Sequence, residues 1–260
     1  MLRRLLSIAL SAALIFSALF LISEGGWHRA VDRAWMATRH LNQRLHYGLG
    51  YQLPGTPDLN RLDERLAAKG LGRGDPIFLR IFKSEMRLEI WMKRGARFQL
   101  FETYPICYWS GRLGPKVAEG DKQAPEGFYT VAKAQLNPNS QWHRSFNLGF
   151  PNLYDRAHGR TGSFLMVHGG CASIGCYAMT NAVVAELWDL ITAALESGQT
   201  RFGVHVFPFR LTQGRLNAYA GEPWASFWRE LRPGFELFEQ THVPPEISLC
   251  EGTDQMTKPN

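Results

Sequence analysis

The stretch Val167-His-Gly-Gly-Cys-Ala-Ser-Ile-Gly-Cys-Tyr-Ala-Met-Thr-Asn181 decides how the chain is read. It joins a short apolar strand, Ser163–His168, to a helical pattern over Ala182–Leu195, where Val183, Leu187, Leu190 and Ile191 share one face. Thr180 or Asn181 is placed to cap that helix. A thiol needs a base and an electropositive setting to become a nucleophile. His168, at the strand end, can serve as base for Cys176. Gly175 lets the backbone turn tightly, so that the N–H of Cys176 and a neighbour can face a reacting carbonyl as an oxyanion hole. The positive end of the following helix favours the thiolate. Other readings of the same residues stay open. Cys171 and Cys176 can form a local disulfide, or be small buried hydrophobes. Together with His168 they can be three metal ligands, although no fourth ligand lies nearby.

Upstream of this stretch the pattern is β-rich. Ile77, Leu79 and Ile81 alternate with Phe78, Arg80 and Phe82, and Met86, Leu88, Ile90 and Met92 alternate with Arg87, Glu89, Trp91 and Lys93. These predict two antiparallel strands turning near Lys83–Glu85, followed by strands over Phe98–Cys107 and Phe128–Ala134. Gly111–Gly127 is too rich in Gly and Pro for a regular element. Arg201–Phe209 predicts a last strand and Trp224–Leu231 a helix, with a polar, frayed tail from Glu251. Nearer the N-terminus, Trp27–Tyr47 predicts an amphipathic helix lying on a membrane or on the domain. Thr56-Pro57 predicts the start of a short helix that buries Leu59, Leu62, Leu66 and Ala67 and stops at Gly70.

At 45% hydrophobic and 12% aromatic, the 260 residues can bury a sizeable core, which excludes a disordered chain. The net charge of +6 favours an anionic partner. The basic residues form no run and no nucleic-acid motif, so nucleic acid is not among the expected partners. Arg3 and Arg4 precede an uncharged run of about 18 residues, Leu5–Ile22, close to the roughly 20 that span a bilayer core. No small-residue cleavage site follows, so residues 1–24 read as a signal anchor, with a cleaved signal peptide as the alternative. Either places the remainder outside the cytoplasm. Four cysteines suit neither a disulfide-dense scaffold nor a four-cysteine zinc site.

The segment resembles the active-site signature of the L,D-transpeptidase (YkuD-type) catalytic domain family. His168-Gly169 matches its first part and Ser173-Ile174-Gly175-Cys176 its second, with Ile where a His is usual and a shorter gap between the parts. Both departures are features of the YafK-like branch. The resemblance extends through Tyr104-Pro-Ile-Cys107, Ser110-Gly-Arg-Leu-Gly-Pro-Lys116, Gly120-Asp121, Ala124-Pro-Glu-Gly-Phe-Tyr129 and Ser145-Phe-Asn-Leu-Gly149. It implies an α+β fold: a β-rich catalytic domain (a twisted sheet or sandwich) with packed helices, behind an N-terminal anchor helix. The expected organisation is an anchor at 1–24, a membrane-proximal helical region at 25–72, the catalytic domain at 73–211 and a C-terminal helical extension at 212–260.

The resemblance further implies a peptidoglycan-modifying cysteine acyltransferase working in the periplasm without cofactor or metal. Cys176 would be the nucleophile and His168 the base, with Gly169, Ser173 and Gly175 shaping the loop. A thioester with a diaminopimelate-containing wall peptide would pass to an amine, which is transpeptidation, or to water. The latter is associated in this branch with release of wall-attached lipoprotein. Ala178 stands where many relatives carry Arg or Asn, so the substrate carboxylate is expected to meet Arg112, Lys116 or Arg144 instead. Tyr154, Asp155 and His158 either line the cleft or close the loop before it. Cys171 is expected to be structural or cavity-lining. The competing reading is a non-catalytic envelope protein that binds wall peptides.

Overall fold

The computed structural model describes residues 24–250 and 253–257, so the signal-anchor reading of 1–24 falls almost wholly outside the described residues. Among the described residues no helix is long and apolar enough to cross a membrane. Helix α1 (Glu24–Gly48) leads, and a 3-10 turn, Leu59–Arg61, runs into α2 (Leu62–Ala68). The cap of that turn is Asp58, whose carboxylate accepts from Asn60 N, and not the expected Thr56. A carboxylate two residues ahead of a free amide satisfies it as well as a hydroxyl would.

Strands β1 (Ile77–Phe82), β2 (Arg87–Arg94), β3 (Arg97–Pro105), β5 (Gly127–Ala132) and β10 (Arg201–Phe207) form one five-stranded sheet, ordered β3-β2-β1-β10-β5. β1 pairs antiparallel with β2 and parallel with β10. A second sheet, ordered β4-β9-β8-β7-β6, is built from five very short strands: β4 (Tyr108–Trp109), β6 (Leu136–Asn137), β7 (Ser145–Asn147), β8 (Met166–His168) and β9 (Tyr177–Ala178). The expected strand over 163–168 thus shrinks to its last three residues. Helix α3 (Leu153–Ala157) sits in the long loop before β8, and α4 (Asn181–Glu196) follows β9. The molecule is a mixed α/β assembly of two sheets and several helices.

The core explains the layering. Leu79, Ile81, Leu88 and Ile90 of the first sheet share one apolar cluster with Phe146, Val167 and Tyr177 of the second and with Val183, Leu187, Leu190 and Ile191 of α4. The opposite face of the first sheet is also covered. There Phe82, Phe128 and Phe207 pack with α5 (Gln213–Ala218) and α6 (Ala225–Thr241) through Leu216, Phe227, Trp228, Leu231 and Phe235. This is why all six residues of β1 are buried and not only alternate ones. Each buried large apolar side chain contributes about 1.5–3 kcal/mol. Helix α6 runs well beyond the expected Leu231, through Pro233, because Phe235 and Phe238 are buried beyond it. The polar tail also differs from expectation, since β11 (Glu246–Cys250) and β12 (Thr253–Thr257) pair antiparallel.

Candidate active site

The two halves of the motif lie side by side. β8 and β9 pair in parallel, with Val167 opposite Tyr177 and His168 opposite Ala178. Cys176 immediately precedes β9, two residues before Ala178. Only residues 169–176 connect these parallel strands, so the connection must loop out and return tightly. Gly170 has φ +92°, and a Cβ there would meet the Trp142 ring at 2.5 Å. Gly175 has φ +122°, a conformation that side-chain-bearing residues rarely adopt.

Several contacts fasten this loop. Gly169 N donates to Trp142 O at 3.0 Å, Met179 N to His168 O at 2.7 Å, and Cys171 N to Met179 O at 3.3 Å. Cys171 is bonded to Cys107, with 5.1 Å between the Cα atoms. That removes Cys171 both from a pairing with Cys176 and from any ligand set with His168. Among the described residues no three His, Cys, Asp or Glu side chains gather as a metal site. Cys176 is a free thiol, and it is half-buried.

Ser173 organises the last turn. Its Oγ accepts from Cys176 N at 2.7 Å and from Gly175 N at 3.2 Å, and donates to Cys176 O at 2.7 Å. The Cys176 amide, expected to serve an oxyanion hole, is therefore occupied by a side chain of the same loop, as is the Gly175 amide beside it. The expected helix dipole is likewise displaced. α4 begins at Asn181, its first turn is capped by the Thr180 hydroxyl, and β9 intervenes between it and Cys176.

The sulfur accepts from Met166 N at 3.4 Å and lies 3.6 Å from Phe164 O. His168 is not among its hydrogen-bond partners. His168 is buried beneath the Trp142 ring, 5.7 Å between centroids, and its Nδ1 meets Gly169 O at 2.5 Å. A carbonyl can only accept, so Nδ1 carries the proton and Nε2 is the basic nitrogen. Burial pushes the His168 ring below its ordinary pKa, against the Gly169 carbonyl, which favours the protonated form. Burial pushes the Cys176 thiol up, against the Met166 amide and the Lys116 charge, which pull it down. The resting pair at neutral pH is an uncharged thiol and an uncharged imidazole.

Cys176 opens into a cavity of about 300 Å³ lined by Lys116, Glu119, Lys122, Phe164 and Ile174. Phe164 and Ile174 are 71% and 78% exposed and form an apolar lip. Lys116 is nearly buried. Its ammonium bonds Asp121 at 2.5 Å and Ala118 O at 2.8 Å, and its charge reaches the sulfur. Arg112 and Arg144 do not line this cavity. Arg112 is held through its backbone by Gln123, and Arg144 pairs with Asp189 at 3.3 Å. Tyr154, Asp155 and His158 close the preceding loop. Asp155 pairs with Arg160 at 2.8 Å, Tyr154 donates to Glu230, and His158 stacks on Tyr154.

Four contributors were not read from the sequence. Trp142 sits in a polar loop with no local signal. Glu119 and Lys122 read only as surface charge. Lys83 reads as a turn residue yet is fully buried. It bonds Glu126 at 2.9 Å and three carbonyls, those of Arg112, Gly114 and Ala124, at 2.8 to 3.0 Å. It pins the irregular 112–124 segment that carries one wall of the cavity.

Comparison with known proteins places the chain in a family. The L,D-transpeptidase catalytic domain (YkuD) model matches residues 76–206. "Putative L,D-transpeptidase YafK" from Escherichia coli strain K12 is 45% identical over 186 residues, covering 72% of this chain and 76% of that protein. The chain of the same name from strain O157:H7 matches equally. Among solved structures, the K307A mutant of the helical cell shape determining protein Pgp2 of Campylobacter jejuni aligns with TM-score 0.43 and 19% identity. That alignment covers 71% of this chain and 66% of Pgp2, just under two thirds of it. Bd1075 of Bdellovibrio bacteriovorus aligns with TM-score 0.38 and 17% identity, over 68% and 78% of the two chains. With the family model matched through both sheets and the motif, the chain belongs to the L,D-transpeptidase catalytic domain family.

Proposed function

We propose that the chain is a peptidoglycan-modifying cysteine acyltransferase, with Cys176 as nucleophile and His168 as general base. The observation that carries this is a free half-buried thiol at a cavity flanked by Lys116 and Lys122, immediately before the strand that pairs with the one ending in His168. A cavity with two ammonium groups and the Glu119 carboxylate suits a zwitterionic diaminopimelate end, whose carboxylate Lys116 would hold. Arg112 and Arg144 would act only at a distance from the sulfur.

Because both groups rest uncharged, the proton leaves the sulfur during attack. The Cys176 sulfur bonds the carbonyl carbon of the wall peptide and its proton passes to His168 Nε2. The C–N bond then breaks, and the imidazolium returns the proton to the departing amine. The resulting thioester is attacked by a second amine, giving a new amide, or by water, giving a free carboxylate. Water as acceptor would release wall-attached lipoprotein. The Cys107–Cys171 bond supports work in an oxidising compartment, and the charge pattern of residues 3–22 supports attachment to the inner membrane on its periplasmic side.

A second reading, a non-catalytic protein that binds wall peptides, is favoured by one observation: the sulfur is hydrogen-bonded to Met166 N and not to His168. Incubation with defined muropeptides separates the readings. Cross-linked dimers indicate transfer, a freed amino group without dimer indicates cleavage, and both are abolished by Cys176→Ser. Muropeptides that bind and stay unchanged establish the second reading.

A further inference from the structure

Helix α1 is turned inside out. Met36 packs on the core, but the other side chains that fasten the helix to the domain are polar: Asp32 takes Arg215 at 2.7 Å and the Tyr219 hydroxyl at 2.6 Å, and Arg29 donates to Ala218 O at 2.9 Å. His40 lies edge-on to Tyr108 and Trp109, and Gln43 is buried. The solvent side carries Trp27, Val31, Ala34, Thr38, Leu41 and Leu45, recurring in steps of four and three that keep them in one stripe. Trp27, Leu41 and Leu45 are 58%, 61% and 54% exposed. Thr38, the polar member, turns its hydroxyl back onto Ala34 O at 2.9 Å, leaving its methyl outward.

Arginines border the stripe. Arg33 and Arg44 stand on one side and Arg39 on the other, while Asp32, the single acidic residue between Trp27 and Gly48, faces the domain. An apolar stripe with basic borders matches acyl chains beneath anionic headgroups, the arginine stems reaching out to the phosphates. A second copy of the helix fits poorly, since pairing would bring the two sets of arginines together. The uncharged run 5–22 ends only a few residues before Trp27, so whatever surface holds that run holds α1 beside it.

We propose that the outward face of α1 is a membrane-docking surface whose partner is the headgroup region of a bilayer containing anionic lipid. This holds the catalytic domain against the membrane and is independent of the chemistry assigned to Cys176. The test uses the full chain in vesicles of phosphatidylcholine with phosphatidylglycerol. One nitroxide is placed at Val31, Thr38, Leu45 or, as control, the exposed Lys133, in a Cys176→Ser, Cys250→Ser background.

The expected result is that labels at 31, 38 and 45 are reached by oxygen and shielded from a water-soluble nickel chelate. Their depth should be roughly 5–10 Å below the phosphates, with the control label in water. Depth should decrease in pure phosphatidylcholine. Quenching of the unlabelled wild-type chain by brominated lipid, reduced in Trp27→Phe, gives the same reading without cysteine changes. Labels at 31, 38 and 45 as water-exposed as the control would overturn the proposal. So would dipolar coupling between chains, which would assign the face to a second copy. Equal depth with and without phosphatidylglycerol would overturn the assignment to anionic lipid.

Discussion

Removing the Cys107–Cys171 bond should cost the protein several kilocalories without removing its chemistry. The bond closes a loop across a sequence separation of 64 residues. The loss of unfolded-chain entropy for a loop of that length is worth about 4 kcal/mol at 25 °C. Two local terms modify this. Cys171 is held at φ +51°, a left-handed conformation that costs a residue with a side chain about 1 kcal/mol, and releasing it returns part of that. Against this, both cysteines are buried beside Leu53 in a small cluster of their own, so alanine there gives up packing. The net expectation for Cys107→Ala with Cys171→Ala is a loss of about 3–4 kcal/mol. With an m-value of about 2.5 kcal/mol/M, the urea midpoint should fall by roughly 1.5 M. The assay is urea unfolding of the full chain in detergent, with wild type, the double variant, and wild type treated with reductant. The last two should both fall, the double variant at least as far as the reduced protein because it also loses the buried sulfurs, and Cys176→Ala should leave the midpoint near wild type. Under native conditions the double variant should still be labelled at Cys176. A midpoint shift below about 0.3 M, or loss of Cys176 reactivity in a variant that is still folded, would refute the view of this bond as a structural clasp.

Three further outcomes follow from the site and its supports. Lys83→Ala leaves the Glu126 carboxylate buried without its cation and should destabilise by about 3–5 kcal/mol; Lys83→Met with Glu126→Gln, read by the same urea titration, should lose less. Burial raises the Cys176 pKa, so iodoacetamide labelling should be slow at pH 7 and climb with pH, with a midpoint above the ordinary thiol value of about 8.5; a plateau already reached by pH 6 would indicate a resting thiolate–imidazolium pair instead. Lys116→Met should raise KM for muropeptides by about 10- to 100-fold, the worth of one charged hydrogen bond, and move the alkylation midpoint upward, because Lys116 pulls the thiol pKa down.

The elements that sequence could place are those whose local chemistry and tertiary role agree. β1 and β2 carry the alternating apolar residues of strands, although both faces of β1 are buried, and α4 carries both its apolar face and its Thr180 cap. The motif was legible because its backbone demands glycine where the loop must adopt positive φ, at Gly170 and Gly175. Lys116 was legible as a candidate through the resemblance, and the structure places it in the cavity wall while leaving Arg112 and Arg144 outside. What could not be read depends on distant partners. Cys107 and Cys171 carry no local mark of pairing. Lys83 resembles a solvated turn lysine until Glu126, 43 positions on, comes beneath it. Helix α6 violates the local rule at Pro233 because burial of Phe235 and Phe238 outweighs one missing backbone hydrogen bond. The occupied Cys176 amide and the displaced helix end both have a local reason. Ser173 reaches back to cap that amide and the Gly175 amide beside it, and two residues of strand separate Cys176 from Thr180 and the helix it caps.

The central claim is that one thiol, relieved of its proton by one imidazole, takes up an acyl group. Intact-mass spectrometry of the full chain after exposure to a carbapenem or a tetrapeptide muropeptide tests it most directly. A single covalent adduct located at Cys176, absent from Cys176→Ser and strongly slowed in His168→Ala, is the predicted result. An unmodified chain, an adduct on another residue, or an adduct that forms as fast without His168 would contradict it.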